Sequence, residues 1–83
     1  MSIEIENITR GAIEVRIGAR SFTFAIESLL PGFGSPNFVI YSSDVNEVLS
    51  DGTKRSIAPA EREQLIAALL QELDSRGLTY DLE

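Results

Sequence analysis

The side chains in this chain that could do chemistry are almost all carboxylates. Its 83 residues include thirteen Asp and Glu and seven Lys and Arg, but no His, Cys or Trp. Without His, the chain lacks the commonest general base, the side chain whose unperturbed pKa lies near neutrality. Without Cys it has no thiolate nucleophile, no disulfide and no thiolate ligand for zinc. The composition therefore predicts a binding protein, not an enzyme, with no cofactor and no metal.

The spacing of the acidic and basic residues fits no catalytic or metal-binding pattern. Glu61 and Glu63 fall at different azimuths of a predicted helix, so they do not form the facing carboxylate pair of a glycosidase. An EF-hand starting at Asp44 fails, because Leu49 stands where the calcium loop requires Gly. Lys54 is the only lysine, and no Ser precedes it at the spacing of a Ser-Lys hydrolase.

A loop rich in Gly and Pro spans residues 31–36. It lacks the Gly-Lys-Ser/Thr ending of a P-loop and leads into a strand, which is not the context of a dinucleotide-binding turn. The pattern indicates a loop that connects two strands. Phe33 within it either packs into the core or stays exposed as an anchor for a protein partner.

A meander of three antiparallel strands is predicted in the first third of the chain. Apolar residues alternate with polar ones in two runs: Ile13, Val15, Ile17, then Phe22, Phe24, Ile26. A type II′ turn at Gly18-Ala19 pairs Val15 with Phe22 and puts both runs on one face. A three-residue turn ending at a left-handed Gly11 pairs Ile5 with Val15 and adds a third strand to that face.

The rest of the chain predicts short strands, one long helix and a final strand. Residues 38–41 form a strand, and residues 44–55 fit either a strand or a helical turn, with a turn at Asp51-Gly52. A helix from Pro59 to about Arg76 carries one apolar stripe: Leu65, Ile66, Leu69, Leu70 and Leu73. Gly77 ends it, and residues 78–82 alternate as a strand. We expect a single α+β domain over residues 1–83, with the helix on one face of a mostly antiparallel sheet.

The formal net charge of −6 bears on what the protein binds. Phosphate backbones and anionic membranes attract Lys and Arg, so neither nucleic acid nor a membrane surface is an expected partner. An acidic surface is typical of a protein that binds a basic partner, and also of one that only needs to stay soluble. The first nine residues do not form a signal peptide, and the lack of Cys suits a cytoplasmic location.

Two surfaces compete as the binding site for a basic protein. The first is the irregular segment with Asp44, Glu47 and Asp51, since loops on rigid sheets often carry recognition. The second is the acidic face of the helix, represented by Glu63 and Asp74. Either surface could equally be a solvated face with no partner.

A succession of short motifs resembles the family of bacterial immunity proteins called immunity protein 74. The matching segments, in order, are Ile8-Thr9-Arg10-Gly11, Gly18-Ala19-Arg20, Leu29-Leu30-Pro31-Gly32, Phe38-Val39-Ile40-Tyr41, Asp51-Gly52 and Ala60-Glu61-Arg62. The resemblance implies an antitoxin-like protein of a polymorphic or contact-dependent toxin system. It would bind and neutralise a cognate toxin domain, such as a nuclease, without catalysis. The alternative is a small structural domain that self-associates through its sheet, and the oligomeric state is open.

Overall fold

The computed structural model of the protein describes residues 2–30, 32 and 34–83. Within these residues the fold is α+β, as predicted, with six strands and one helix. In chain order the elements are β1 (Glu4–Ile8), β2 (Ala12–Ile17), β3 (Arg20–Ser28), β4 (Phe38–Val48), β5 (Lys54–Ser56), α1 (Pro59–Ser75) and β6 (Tyr80–Leu82). Phe33 lies outside the described residues, so its two predicted placements stay open.

The strands form one sheet in the order β1-β2-β3-β4-β5, and β6 also pairs with β4. The pairs along the main path are antiparallel, whereas β6 runs parallel to β4. Because β3 occupies one edge of β4, the two short strands lie end to end along its other edge. β6 pairs with residues 38–40 of β4, and β5 pairs with residues 46–48.

The second hairpin has the predicted register. Val15 pairs with Phe22 and Ile13 with Phe24, so the apolar runs of both strands share one face. The two-residue turn contains Gly18 at φ +60°, while Ala19 keeps a negative φ. A type II′ turn requires a positive φ at its first central residue alone, and Gly supplies it without steric cost.

The first hairpin differs from the prediction at its turn. Gly11 is not left-handed, and Ile8 pairs with Ile13 across a four-residue connection. Thr9 closes this turn instead, because its Oγ1 accepts a hydrogen bond from the amide of Ala12 at 3.1 Å. The register shifts between Ile5 and Asn7, which leaves an extra residue on β1. That bulge restores the predicted pairing of Ile5 with Val15.

β4 is longer than the predicted four-residue strand and resolves the ambiguous segment after it as mostly extended. Its pairing with β3 shifts between Phe24 and Ile26, which are paired with Val45 and Ile40. Residues 41–44 therefore bulge opposite a single residue of β3. The predicted turn follows, with Gly52 at φ +87° and the amide of Leu49 bonded to the carbonyl of Thr53 at 2.8 Å.

The helix covers one face of the sheet through the predicted stripe. Leu65, Ile66, Leu69 and Leu73 are buried against the apolar face of β2, β3 and β4. The helix ends in a Schellman motif: the amide of Leu78 bonds to the carbonyl of Leu73 at 3.0 Å, and Gly77 has φ +71°. This turn sends the chain directly towards β6.

Hydrogen bonds between Asn37 and Thr79 fix the start of β6 beside β4. The amide of Thr79 donates to Oδ1 of Asn37 at 2.8 Å, and the amide of Asn37 donates to the carbonyl of Thr79 at 3.0 Å. These reciprocal bonds set the parallel register in which Val39 lies beside Asp81.

Candidate functional site

The two faces of the sheet differ in what covers them. We call the face under α1 the covered face, and the opposite one the open face. Side chains alternate along a strand, so the neighbours of core residues point to the open face. By this register the open face carries Glu14 and Arg16 on β2, Thr23 and Glu27 on β3, Val39, Tyr41, Asp44 and Asn46 on β4, Lys54 on β5 and Asp81 on β6.

One carboxylate, Glu47, lies on the covered face and is only 6% exposed. Arg20 meets it with two hydrogen bonds of 3.0 and 3.1 Å. The same guanidinium makes two bonds of 3.0 Å to Glu61 at the start of α1. Arg55 of β5 also bonds to Glu47. We call these four residues the arginine clamp.

The clamp ties three strands and the helix together at one end of the sheet. The guanidinium of Arg20 also lies over the ring of Phe22, and its Cζ atom is 4.9 Å from the ring centroid. Bidentate arginine-carboxylate pairs are the strongest and most directional ion pairs in proteins. The clamp therefore holds the β3–β4–β5 edge against the N-terminal turn of α1.

The proton affinities of the clamp follow from these bonds. Hydrogen bonds from Arg20, and then from Arg55, lower the pKa of Glu47 to about 2, although partial desolvation opposes them. A hydrogen bond from Arg20 also lowers the pKa of Glu61. In turn, Glu47 and then Glu61 raise the pKa of Arg20 above its already high value. Both carboxylates are thus held ionised and neutralised within the chain.

A second group of carboxylates, on the open face, has no such partner. It consists of Glu27, Asp44, Asp81 and Glu83, and we call it the acidic end. Among the described residues, none of the four lies within 4 Å of a basic nitrogen, whereas Arg16, Arg20, Arg55 and Arg76 form the ion pairs elsewhere.

Tyr41 lies among the acids of this end, where β4 bulges. Its hydroxyl donates to the carboxylate of Glu27 at 3.0 Å. That bond, and then the negative charges of Glu27 and Glu83, raise the pKa of Tyr41. The backbone of Glu83 is fixed at the bulge, where its carbonyl accepts hydrogen bonds from the amide and the hydroxyl of Ser42.

The predicted site residues do not form one cluster. Asp44 lies in the bulge and accepts a bond from Asn46, while Asp51 lies in the β4–β5 turn and accepts two bonds from Thr53. The bonds from Thr53 lower the pKa of Asp51. On the helix, Glu63 is exposed and Asp74 accepts the hydroxyl of Tyr80 at 3.1 Å. Glu47 belongs to the clamp.

The sequence interpretation missed Glu27, Asp81 and Glu83. Glu27 directly followed the last apolar residue of a predicted strand, and the final strand was predicted as well. The missing information was the pairing of β6 with β4, a contact between segments about forty residues apart. The burial of Glu47 had a local signal, since alternation from Val45 points it to the covered face.

The described part of the chain offers little to a small ligand. It contains no group of three or more acidic side chains placed to hold a metal ion. A shallow depression between the N-terminal segment and the helix is lined by Ser2, Ile3, Ala68, Gln71 and Glu72. In these same residues, α1 has neither the length nor the apolar run that a membrane crossing needs.

The described residues thus form a small α+β domain that carries exposed carboxylates without ion-pair partners on the open face of its sheet. The family model of immunity protein 74 matches residues 4–83, and the chain belongs to this family. Membership implies that it is an immunity protein for a polymorphic toxin. No curated protein and no solved structure is significantly similar to the chain.

Proposed function

We propose that this protein binds a cognate toxin domain of basic character in the cytoplasm and neutralises it by covering its active site. The observation that carries the proposal is the family match over nearly the whole chain. The toxin would reach the cell by contact-dependent delivery, and the immunity protein would protect the cell that makes it.

The charge distribution supports a basic partner. Five of the thirteen carboxylates take part in ion pairs within the described residues: Glu4, Glu6, Glu47, Glu61 and Glu72. The other eight are free to contact cations of another protein. If the toxin is a nuclease, these carboxylates would occupy positions that nucleic-acid phosphates otherwise take on its Lys and Arg side chains.

The predicted contact residues remain proposals with unequal physical support. Asp44, Asp51 and Glu63 are exposed and form no ion pair with any described residue, so they can meet a toxin cation directly. Asp74 is exposed as well, but it already holds the hydroxyl of Tyr80. Glu47 is neutralised by the clamp and would act by fixing the surface around it.

The test is complex formation with the toxin domain encoded by the neighbouring gene. We expect a one-to-one complex by size-exclusion chromatography with light scattering, and loss of toxin activity when the two proteins are mixed. Association should slow as salt rises, because charged surfaces steer the encounter. A stable homodimer that ignores the toxin domain would contradict the proposal and favour self-association through the sheet.

The β1 edge of the sheet argues against self-association by pairing of edge strands. β1 is interrupted by its bulge and carries Glu4 and Glu6, which both pair with Arg16. Bulges and charges at an edge strand hinder pairing with another copy. The edge is thus poorly suited to continue the sheet into a dimer.

A further inference from the structure

The open face has two chemically different ends. At the end near the β2–β3 turn, Arg16 pairs with Glu4 and Glu6, and Lys54 stands opposite Val48. At the other end, the acidic end contains only carboxylates. Arg10, in the β1–β2 turn beside Ser28, is its nearest basic residue by backbone position and makes no ion pair among the described residues.

The spacing of the acidic end fits several cations rather than one. Glu27 and Asp81 flank Val39 on the two strands beside β4, so their backbones are separated by two strand spacings, about 10 Å. Glu83 follows β6, two residues after Asp81 and about 7 Å along the chain. Among the described residues no three acids are placed to hold one metal ion, whereas a segment with several Lys or Arg side chains can contact each acid.

One aromatic side chain lies among the acids. Val39 and Tyr41 occupy the middle of the acidic end, but Val39 is only 9% exposed, so the partly exposed Tyr41 supplies the apolar surface there. Protein interfaces combine an aromatic or apolar centre with a polar rim, and Tyr is among the residues enriched there.

We infer that the acidic end, with Tyr41 at its centre, is the docking surface for a positively charged segment of the toxin domain. The inference rests on the proposed function and names the face that performs it. The clamp carboxylates are neutralised, whereas both this end and the rival helix acids Glu63 and Asp74 lack a basic partner in the described chain. The acidic end is favoured because it gathers four such acids around one partly exposed tyrosine on an uncovered sheet face.

The decisive comparison is between two charge reversals of equal size. The Glu27→Lys/Asp81→Lys variant reverses two charges of the acidic end. The Glu63→Lys/Asp74→Lys variant reverses two charges on the rival helix face. Each variant changes the net charge by the same amount, so long-range attraction is matched. Stopped-flow association with the toxin domain is measured at low and high salt, after thermal melts show that each variant folds.

We expect the acidic-end variant to associate about 10-fold more slowly at low salt, and the difference to shrink at high salt. The helix variant should slow by only about 2-fold, because it loses the long-range attraction shared by both variants but no direct contact. If Glu27→Lys/Asp81→Lys fails to fold, the near-isosteric Glu27→Gln/Asp81→Asn replaces it, with a smaller expected decrease in the same direction.

Each other outcome overturns a defined statement. If wild-type protein forms no complex, the proposed function fails and the inference fails with it. If wild-type protein binds but the acidic-end variant associates normally, or no more slowly than the helix variant, the inference alone fails. In that case a slower helix variant would place the docking surface on α1.

Discussion

Carboxylates lie at both ends of β4, in opposite surroundings. Near the C-terminal end of β4, Glu47 lies on the covered face and accepts hydrogen bonds from Arg20 and Arg55. At its N-terminal end, Val39 and Tyr41 lie among carboxylates that no arginine approaches within 4 Å in the described chain. The bulge at residues 41–44 separates the two environments.

The comparison teaches that net charge is a poor guide to where a binding surface lies. Carboxylates that meet an arginine inside the chain contribute to packing and present little field to a partner. Those left without one remain available for an intermolecular contact. The distinction depends on which cations the fold brings within reach, and formal charge does not report it.

The largest expected effect is a difference in stability between substitutions at Ile40 and Val39, neighbours on opposite faces of β4. Ile40 has no exposed surface and lies in the core, so Ile40→Ala should lower the free energy of unfolding by about 2–5 kcal/mol. Val39 is 9% exposed but points away from the helix. Val39→Ala should cost about 1.5 kcal/mol, the transfer of two methyl groups without an enclosed cavity. Urea unfolding of both variants measures the difference.

Ile40→Val is a milder substitution to measure if Ile40→Ala does not fold. It should cost about 0.5–1.5 kcal/mol. Equal losses for Ile40→Ala and Val39→Ala would mean that the open face is as well covered as the other, and would remove the basis of the comparison.

A smaller effect should distinguish the two kinds of carboxylate. Glu47→Gln leaves Arg55 with a neutral partner and Arg20 with Glu61 as its only ionised one, so it should destabilise the protein, though less than Ile40→Ala. Asp81→Asn removes an exposed charge without an ion-pair partner and should change stability by no more than about 0.5 kcal/mol. Thermal melts at neutral pH compare them. Similar losses for both variants would show that the clamp contributes nothing specific.

The clamp also predicts how acid weakens the fold. The folded pKa of Glu47 is about 2, below its ordinary value of 4.5. Its ionised form therefore stabilises the protein fully above pH 4.5, and this contribution is lost as the pH falls towards 2. The stability gap between wild type and Glu47→Gln should narrow over that range. A gap that stays constant would contradict the lowered pKa.

The smallest effect concerns the hydroxyl of Tyr41. Glu27 raises the pKa of Tyr41 by accepting a hydrogen bond from its hydroxyl and by its negative charge, so Glu27→Gln should lower that pKa. Phenolate absorbance follows the titration. Tyr80, whose pKa is raised by partial burial and by Asp74, is removed from the signal with a Tyr80→Phe background. An unchanged titration would place Glu27 away from the ring in solution.

Local pattern was enough to predict the second hairpin and the helix. The register of Val15 with Phe22 follows from alternation and one glycine, and the buried leucines of α1 follow from helical periodicity. The first turn was predicted less well, because a threonine hydroxyl closed it and a bulge at β1 corrected the register. Side-chain hydrogen bonds of this kind leave no periodic trace.

Neither the clamp nor the acidic end could be predicted, because both depend on distant contacts. Arg20 reaches Glu61 across 41 residues of chain, and Asp81 arrives beside Val39 only through parallel pairing. Composition gave the number of acids, and the tertiary fold decided which of them met a cation. The predicted cluster of Asp44, Glu47 and Asp51 was divided for that reason between a bulge, a clamp and a turn.

The parallel pairing of β6 with β4 also has a consequence for the order of events during synthesis. The first three strands can pair as soon as they leave the ribosome, since each contacts its neighbour in sequence. Asp81 and Glu83 follow the helix, so the surface around Tyr41 cannot assemble until that segment has emerged and been locked by Asn37 and Thr79. A ribosome-bound chain from which this segment has not yet emerged would contain the core strands but lack Asp81 and Glu83, half of the acidic end.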